Sequence, residues 1–287
     1  MKTFQDKVAV VTGAASGIGR AMAERFAAEG MRVVLADVEE DALAATTKDL
    51  SGRGAAALAV RTDVSRAADV EALARAAVAR FGGVHVVCNN AGVGGDGSTI
   101  WDQSLESWQW VLGVNLWGVI HGIRTFVPLM LEQGGEGHVV NTASMAGHLS
   151  MPFAAPYNAS KFAVVTMTES LHHELQIMGA SIKTSVLCPG FVRTNIVDAE
   201  RNRPPELRDD ARRSEASQAF RTAVRGLVES GIPPAEVAER VLQAVRAERF
   251  WIFPHPEMLE AIRQRTAGIL LEENPSFAPP PGVDLKL

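Results

Sequence analysis

The feature that most constrains the fold is a regular alternation of short apolar runs with helix-length segments. The runs are VAVVT (8–12), RVVLAD (32–37), AALAVRTD (56–63), VHVVCN (84–89), GHVVNTAS (137–144), SIKTSVLCP (181–189) and the weaker RFWIFP (249–254). The segments between them are Ala-rich and amphipathic, and several end in Gly, as helix C-termini often do. Runs of this kind that alternate with helices predict a mostly parallel sheet covered on both faces. Because no break in composition interrupts the alternation, we predict one doubly wound α/β domain over residues 1–287.

Two segments depart from this rhythm. Residues 195–215 are charged, contain a Pro-Pro pair and follow the sixth run, so they form either a mobile lid over a site or a solvated surface insertion. Residues 250–287 form a C-terminal extension that begins with a helix-like stretch containing aromatic residues. Its end, ENPSFAPPPGVDLKL, is Pro-rich, and we expect it to be extended or loosely held.

Composition argues against several classes of function. The net charge of −5 disfavours a nucleic-acid surface, which needs a basic patch. No apolar run reaches the roughly 18 residues of a membrane span, and the N-terminal residues lack an apolar signal stretch. Cys88 and Cys188 each end an apolar run, which favours buried thiols in a reducing compartment over a disulfide. We therefore expect a cytoplasmic protein without membrane or nucleic-acid partners.

The histidine spacing does not predict a metal site. His172, His173 and Glu174 are on a predicted helix, but no second His follows at the spacing of the HExxH zinc motif. We therefore expect no metal.

A glycine cluster follows the first predicted strand and precedes a helix, in the sequence TGAASGIG (12–19). Gly13 allows a tight turn, Gly17 permits close approach of a pyrophosphate, and Gly19 lets the helix pack closely on the strand. The free N–H groups and partial positive charge of the helix N-terminus favour a phosphate at this place. The spacing differs from the common G-x-G-x-x-G pattern, but strand, cluster and helix come in the order that a dinucleotide cradle requires.

The second predicted strand ends in Asp37, eighteen residues beyond Gly19. A carboxylate there can accept hydrogen bonds from the adenosine ribose hydroxyls and would repel a 2′-phosphate. Val38 follows it and Ser16 is in the glycine loop, so no adjacent cation favours a 2′-phosphate. The sequence therefore favours NAD over NADP, although an Asp that caps the next helix would look the same.

The only tyrosine of the chain, Tyr157, is four residues before Lys161, so the two share a face of a predicted helix. An ammonium beside a phenol favours the phenolate, which predicts a pKa below the usual value of about 10 and suits an acid or base near neutral pH. Ser144, at the end of the fifth predicted strand, would offer its hydroxyl to a substrate oxygen on which charge develops.

Together these motifs resemble the short-chain dehydrogenase/reductase family. TGAASGIG, NNAG (89–92), Asn115, Ser144, YNASK (157–161) and PGFVRT (189–194) occur in the family's order and at its spacings, over roughly residues 5–195. The resemblance implies a seven-stranded Rossmann-like domain. It also implies that Tyr157 is the general acid/base, that Lys161 holds the nicotinamide ribose, and that Ser144 orients the substrate.

The resemblance implies roles for further residues. Asn115 would support a proton relay through water, and Asp63 and Val64 would contact adenine. The remaining cofactor contacts would come from the glycine loop, the NNAG turn and the PGFVRT segment: Gly13, Ser16, Gly17, Ile18, Gly19, Asn89, Ala91, Gly92, Pro189, Gly190, Val192 and Thr194.

The sequence thus predicts an oxidoreductase that transfers a hydride between NAD and a secondary alcohol or ketone. Apolar residues around Ser144 and the segment 195–215 favour a hydrophobic or aromatic substrate. Two alternatives stay open: an NADP-dependent ketoreductase of the same family, and a nucleotide-sensing protein that does no chemistry. The resemblance also implies a homodimer or homotetramer built from the helices after the fourth and fifth strands. An apolar stripe, Val164, Met167, Leu171 and Leu175, is buried either by the sheet or by another subunit.

Overall fold

The computed structural model describes residues 1–208 and 214–277. Seven strands form one parallel sheet. They are β1 (Val8–Thr12), β2 (Arg32–Asp37), β3 (Ala57–Arg61), β4 (Val86–Asn89), β5 (Gly137–Thr142), β6 (Ile182–Leu187) and β7 (Trp251–Ile252). The predicted fold class is confirmed.

The strand order is β3-β2-β1-β4-β5-β6-β7, so the chain reverses its direction of travel between β1 and β4. Ligands of open α/β sheets bind outside the carboxyl ends of the strands at such a switch point. The runs predicted at 8–12 and 32–37 match β1 and β2, and the other strands are shorter than their predicted runs. β7 is reduced to Trp251–Ile252, and β3 is a partly exposed edge strand.

Helices connect the strands on both faces of the sheet. They are α1 (Gly17–Ala28), α2 (Glu40–Gly52), α3 (Ala67–Phe81), α4 (Leu105–Leu112), α5 (Gly118–Gln133), α6 (Ala155–Ile177), α7 (Glu215–Glu229), α8 (Pro234–Ala247) and α9 (Leu259–Leu270). A π-helical stretch, Gly113–Trp117, joins α4 to α5. The predicted glycine stop is seen at α3, whose C-cap Gly82 has the left-handed φ of 85°.

Alternate residues of the central strands pack in two separate cores, one on each face of the sheet. Val11 of β1 belongs to the core beneath α1 and α8, together with Phe26 and Val241. Its neighbour Val10 belongs to the opposite core, together with Phe126 of α5. Side chains of successive strand residues point to opposite faces, so a doubly covered sheet needs apolar residues at every position. This explains why the runs are apolar throughout.

The stripe on α6 is buried by the sheet. Val164 packs in one cluster with Val186 and Cys188, and Leu171 and Leu175 belong to the core beneath α5. Both cysteines are free and buried, as predicted.

The continuous helical region Leu105–Gln133 is long and apolar enough to cross a membrane by length and composition, and 39% of its 18-residue apolar stretch is buried. Core helices pass the same test. Phe126, Val127 and Met130 of this region pack in the core beneath the sheet.

The two irregular segments are described in part. Within 195–215, short 3-10 helices cover Ile196–Asn202 and Pro205–Leu207, and residues 209–213 are outside the described part. Within the extension 250–287, α9 has no buried residue, and residues 278–287 are outside the described part.

Candidate active site

A cavity of about 1100 Å³ opens at the carboxyl ends of the strands, across the switch point between β1 and β4. Nearly all the site residues predicted from the sequence border it. They are Gly13, Ser16, Gly17, Ile18, Gly19, Asp37, Asp63, Val64, Ala91, Gly92, Ser144, Tyr157, Lys161, Pro189, Gly190, Val192 and Thr194. Asn89 and Asn115 do not border the cavity.

The glycine cluster turns the chain from β1 directly into α1. Gly13 and Gly17 have positive φ values of 67° and 53°, a conformation that glycine adopts without strain. A Cβ on Gly19 would lie 2.1 Å from the carbonyl oxygen of Gly13, so only glycine lets α1 start this close to the turn. Ser16 is the N-cap of α1, and its side chain makes no capping hydrogen bond. The N-terminus of α1 therefore faces the cavity with donors suited to a phosphate.

Asp37 ends β2 beside this turn. Its carboxylate accepts hydrogen bonds from the backbone N–H groups of Ala15 (2.9 Å) and Glu39 (3.1 Å). Those bonds fix the carboxylate at the edge of the cavity, next to the glycine cluster. The N-cap of α2 is Glu39, so Asp37 both supports the start of that helix and borders the cavity.

The end of β4 is tied to β1 through Thr12. The Thr12 hydroxyl accepts hydrogen bonds from the backbone N–H groups of Asn90 (2.9 Å) and Ala91 (3.1 Å). The Asn90 amide donates in return to the Thr12 carbonyl, at 3.0 Å. Asn90 borders the cavity, as expected for a residue of the NNAG turn.

Asn89 is placed differently from the prediction. As the last residue of β4, it is buried and donates a hydrogen bond of 2.8 Å to Asn141 of β5. A Cβ on Gly122 of α5 would lie 2.0 Å from the Asn89 oxygen, so the side chain packs under that helix. Neighbouring strand residues point to opposite faces, which leaves Asn90 to border the cavity.

Ser144 follows β5 and caps the 3-10 helix Met145–Gly147. Its hydroxyl accepts a hydrogen bond from the Ala146 N–H (3.1 Å) and donates to the Pro189 carbonyl (3.3 Å). The Pro189 carbonyl also accepts from the Met145 N–H, at 2.8 Å. Ser144 is therefore held between two segments that both border the cavity.

Tyr157 and Lys161 are on the first turns of α6, which begins at Ala155. Lys161 is buried, and its Nζ donates a hydrogen bond of 2.9 Å to the Thr142 carbonyl at the end of β5. The same Nζ lies 5.6 Å from the centre of the Tyr157 ring. Burial lowers the pKa of Lys161 to about 8.

The predicted direction of the Tyr157 pKa is not the one found. Burial raises the pKa of Tyr157 above its ordinary value, and a hydrogen bond with Ser144 opposes this in part. The prediction considered only the charge of Lys161, whereas the largest effect on the pKa of Tyr157 is the loss of water around the buried phenol. A raised pKa favours the neutral phenol, the form that can give a proton.

Asn115 is within the π-helical stretch and is fully buried. Its amide oxygen accepts from the Val93 N–H (2.8 Å), and its amide nitrogen donates to the Val93 carbonyl (2.9 Å). A Cβ on Gly92 would lie 3.4 Å from the Asn115 oxygen and 3.6 Å from Lys161 Nζ. The side chain therefore supports the cavity wall beside Lys161, and its predicted part in a proton relay stays a prediction.

Aromatic and sulfur-containing side chains also border the cavity. They include Trp110, Met151, Phe153, Phe191, Phe220 and Met258. The Phe153 and Phe220 ring centres are 5.4 Å apart, which joins α7 to the loop before α6. His148 does not border the cavity, since its ring packs against Trp251 and Phe253.

Much of the segment 196–207 borders the cavity. Arg201 (2.5 Å) and Asn202 (2.7 Å) both donate to the Glu39 carboxylate in the loop after β2. Asp198 pairs with Arg225 of α7 at 2.6 Å, and the Arg203 guanidinium lies 5.2 Å from the Trp110 ring centre. The segment thus contacts both walls, which favours the lid over a surface insertion; its mobility stays a prediction.

Among the described residues, no group of three or more His, Cys, Asp or Glu side chains is arranged to hold a metal ion.

Comparison with known proteins gives consistent results. A profile described as short chain dehydrogenase matches residues 7–205. A CLA biosynthesis dehydrogenase/reductase from Lactiplantibacillus plantarum is 34% identical, over 96% of this chain and 97% of that protein. A 1-deoxy-11-beta-hydroxypentalenate dehydrogenase from Streptomyces exfoliatus is 37% identical, over 91% and 88%. A crystal structure from Burkholderia phymatum, of a short chain dehydrogenase/reductase in complex with NAD, is 48% identical, with a TM-score of 0.95 over 98% of this chain and 100% of that one.

Proposed function

The chain belongs to the short-chain dehydrogenase family, and from that premise we propose that it transfers a hydride between NAD and a hydrophobic secondary alcohol or its ketone. The observation that carries this proposal is that one cavity is bordered by the glycine cluster, by Asp37 and by Ser144, Tyr157 and Lys161. A cradle for a dinucleotide and a proton donor are therefore neighbours in a single site.

The residues present fit NAD. A Cβ on Gly17 would lie 3.0 Å from the Thr194 methyl group, so the absence of a side chain keeps the approach to the α1 N-terminus open. Asp37 and Glu39 both border the cavity beside the place expected for the adenosine ribose. The Asp37 carboxylate there would accept from ribose hydroxyls and oppose a 2′-phosphate, whereas the charge of Glu39 is offset by Arg201. When bound, the nicotinamide supplies or accepts the hydride.

The proton is handled by the chain's own residues. Tyr157, held neutral by burial, gives its proton to the ketone oxygen in reduction and takes it back from the alcohol in oxidation. Ser144 turns its hydroxyl from the Pro189 carbonyl to donate a hydrogen bond to the same oxygen as negative charge develops on it. Lys161, charged below about pH 8, offsets the negative charge left on Tyr157 after the transfer.

The apolar wall supports a hydrophobic or aromatic substrate. Trp110, Phe153, Phe191 and Phe220 border the same cavity as Ser144, Tyr157 and Lys161. Aromatic walls favour substrates that lose water-exposed apolar surface on binding. The Streptomyces exfoliatus relative is named for a hydroxylated compound, in keeping with an alcohol as the reacting group.

We further propose a homo-oligomer that works in the cytoplasm. Leu105 and Trp117 are exposed on the α4–α5 region, where the resemblance puts a subunit interface. The two buried free thiols suit a reducing compartment.

The proposal is tested with a panel of alcohols and ketones of graded size and aromaticity, monitored by NADH absorbance. We expect turnover of bulky apolar secondary alcohols or ketones, with lower KM for aromatic members. NADH binding seen by fluorescence without turnover across the panel would favour the nucleotide-sensing alternative. Comparison of NADH with NADPH distinguishes the two cofactor alternatives.

A further inference from the structure

His255 follows β7 and reaches back to the segment after β6. The side chain is buried, with 6% of its surface exposed. Its Nδ1 accepts a hydrogen bond from the Gly190 N–H at 3.0 Å, and its Nε2 lies 3.0 Å from the Phe191 carbonyl oxygen. One imidazole therefore bonds to the backbone of two successive residues at the cavity wall.

These contacts define the state of the ring. A backbone N–H can only donate, so Nδ1 carries no proton, and a carbonyl can only accept, so Nε2 carries one. The ring is consequently a neutral imidazole in a single tautomer, with each nitrogen used once.

The two bonds are not equivalent. The Phe191 carbonyl also accepts from the Ile232 N–H at 3.2 Å, so it keeps a partner without His255. Among the described residues, Gly190 N–H has His255 as its acceptor and no other. A buried N–H that loses its acceptor is costly, so the Nδ1 bond is the one that fixes the backbone.

The segment held in this way also holds the catalytic serine. Pro189, directly before Gly190, accepts hydrogen bonds from the Ser144 hydroxyl and the Met145 N–H. Gly190 has no room for a side chain, because a Cβ would lie 2.6 Å from Met258 Sδ and 3.0 Å from His255 Cγ. The C-terminal extension thus packs on one side of Pro189-Gly190 while Ser144 bonds to the other.

We propose that His255 is a positioning residue, which sets the backbone of Gly190 and Phe191 and, through Pro189, the Ser144 hydroxyl. The proposal rests on the proposed function, since the segment it sets borders the space assigned to the cofactor and the substrate. It gives the C-terminal extension a part in the reaction that the sequence motifs do not reveal.

The test compares two substitutions at this position. In H255N, the amide oxygen is close to the place of Nδ1 and can still accept from Gly190 N–H. In H255Q, the amide reaches the place of Nε2 and leaves Gly190 N–H without an acceptor. The matched control is H172Q, because His172 of α6 bonds to Thr184 and does not border the cavity.

We expect H255Q to weaken NADH binding about tenfold by fluorescence titration and to lower kcat for a ketone found in the substrate panel. We expect H255N to stay within about threefold of the wild type in both, as H172Q should. Thermal unfolding of all three variants verifies that they fold.

The relative NADH binding and kcat of H255N and H255Q distinguish a hydrogen-bonding role of His255 from a space-filling one. If His255 served only to fill space, the smaller Asn would be the more damaging change, and H255N weaker than H255Q would overturn the proposal. H255Q with wild-type NADH binding and kcat would overturn it too. A wild-type protein that neither binds NADH nor turns over any panel member would instead refute the proposed function.

Discussion

Lys161 Nζ lies 5.6 Å from the centre of the Tyr157 ring, on the same face of α6. The ammonium is buried and donates to the Thr142 carbonyl, so the end of β5 fixes its distance from the phenol. Burial lowers the pKa of Lys161 to about 8 and raises that of Tyr157. These shifts favour a neutral Tyr157 beside a charged Lys161 near neutral pH, the combination that suits ketone reduction.

The first prediction concerns the pH profile of ketone reduction. Lys161 is charged below its pKa of about 8 and loses that charge as the pH rises through it. We expect kcat/KM to be constant below pH 8 and to fall above it, because the negative charge left on Tyr157 is then no longer offset. Initial rates of NADH oxidation across the pH range provide the measurement.

Two variants identify the group responsible for this fall. Lys161→Arg keeps its charge at alkaline pH, so the fall should move upward by more than one pH unit, on the order of the pKa difference between the two cations. Lys161→Met should be roughly a hundredfold less active at pH 7. If kcat/KM still falls near pH 8 in both variants, the fall is caused by the titration of a group other than Lys161.

The second prediction concerns cofactor choice at Asp37. Asp37→Asn keeps an oxygen for the Ala15 N–H and removes the charge that opposes a 2′-phosphate. We expect NADPH to bind at least about tenfold more tightly to this variant than to the wild type, with a smaller loss for NADH. Fluorescence titration with both cofactors measures it, and Asp41→Asn, on the exposed first turn of α2, is the control. An unchanged NADPH affinity would mean that Asp37 acts only as a helix cap.

The third prediction concerns the contact between the lid and the loop after β2. Glu39→Gln weakens the bonds from Arg201 and Asn202 that connect residues 196–207 to this side of the cavity. We expect NADH to dissociate about twofold to fivefold faster, since a part-exposed ion pair contributes no more than about 1 kcal/mol. Stopped-flow displacement of NADH measures the rate.

The control for the lid is the neighbouring acid. Glu40 pairs with Arg61 at the surface, away from the lid, so Glu40→Gln should release NADH at the wild-type rate. Equal rates for Glu39→Gln and the wild type would show that this contact does not govern cofactor release.

The architecture was predictable because its signal is local. Each buried strand is an apolar run, and the glycine cluster that joins β1 to α1 is a continuous stretch of the sequence. β7 was the weakest prediction, since Trp251–Ile252 has an edge strand's short pairing and an exposed Trp251. Burial at an edge depends on neighbours that periodicity does not reveal.

The features of the site that the sequence did not predict depend on the folded surroundings of each residue. Asn89 and Asn90 are adjacent, and only strand register decides which of them borders the cavity. The raised pKa of Tyr157 reflects desolvation, which depends on the folded surroundings and not on the spacing to Lys161. His255 is a single histidine in the sequence FPHPE, and its contact with Gly190 spans sixty-five residues. Nothing local in the sequence points to it.

The most direct test of the account is Tyr157→Phe, which removes one hydroxyl from the cavity. We expect the NADH dissociation constant to stay within about twofold of the wild type, while kcat for the best panel substrate falls about 10²–10⁴-fold. Fluorescence titration and initial rates on the same preparation measure both quantities. A variant that keeps wild-type turnover would contradict the assignment of Tyr157 as the group that moves the proton.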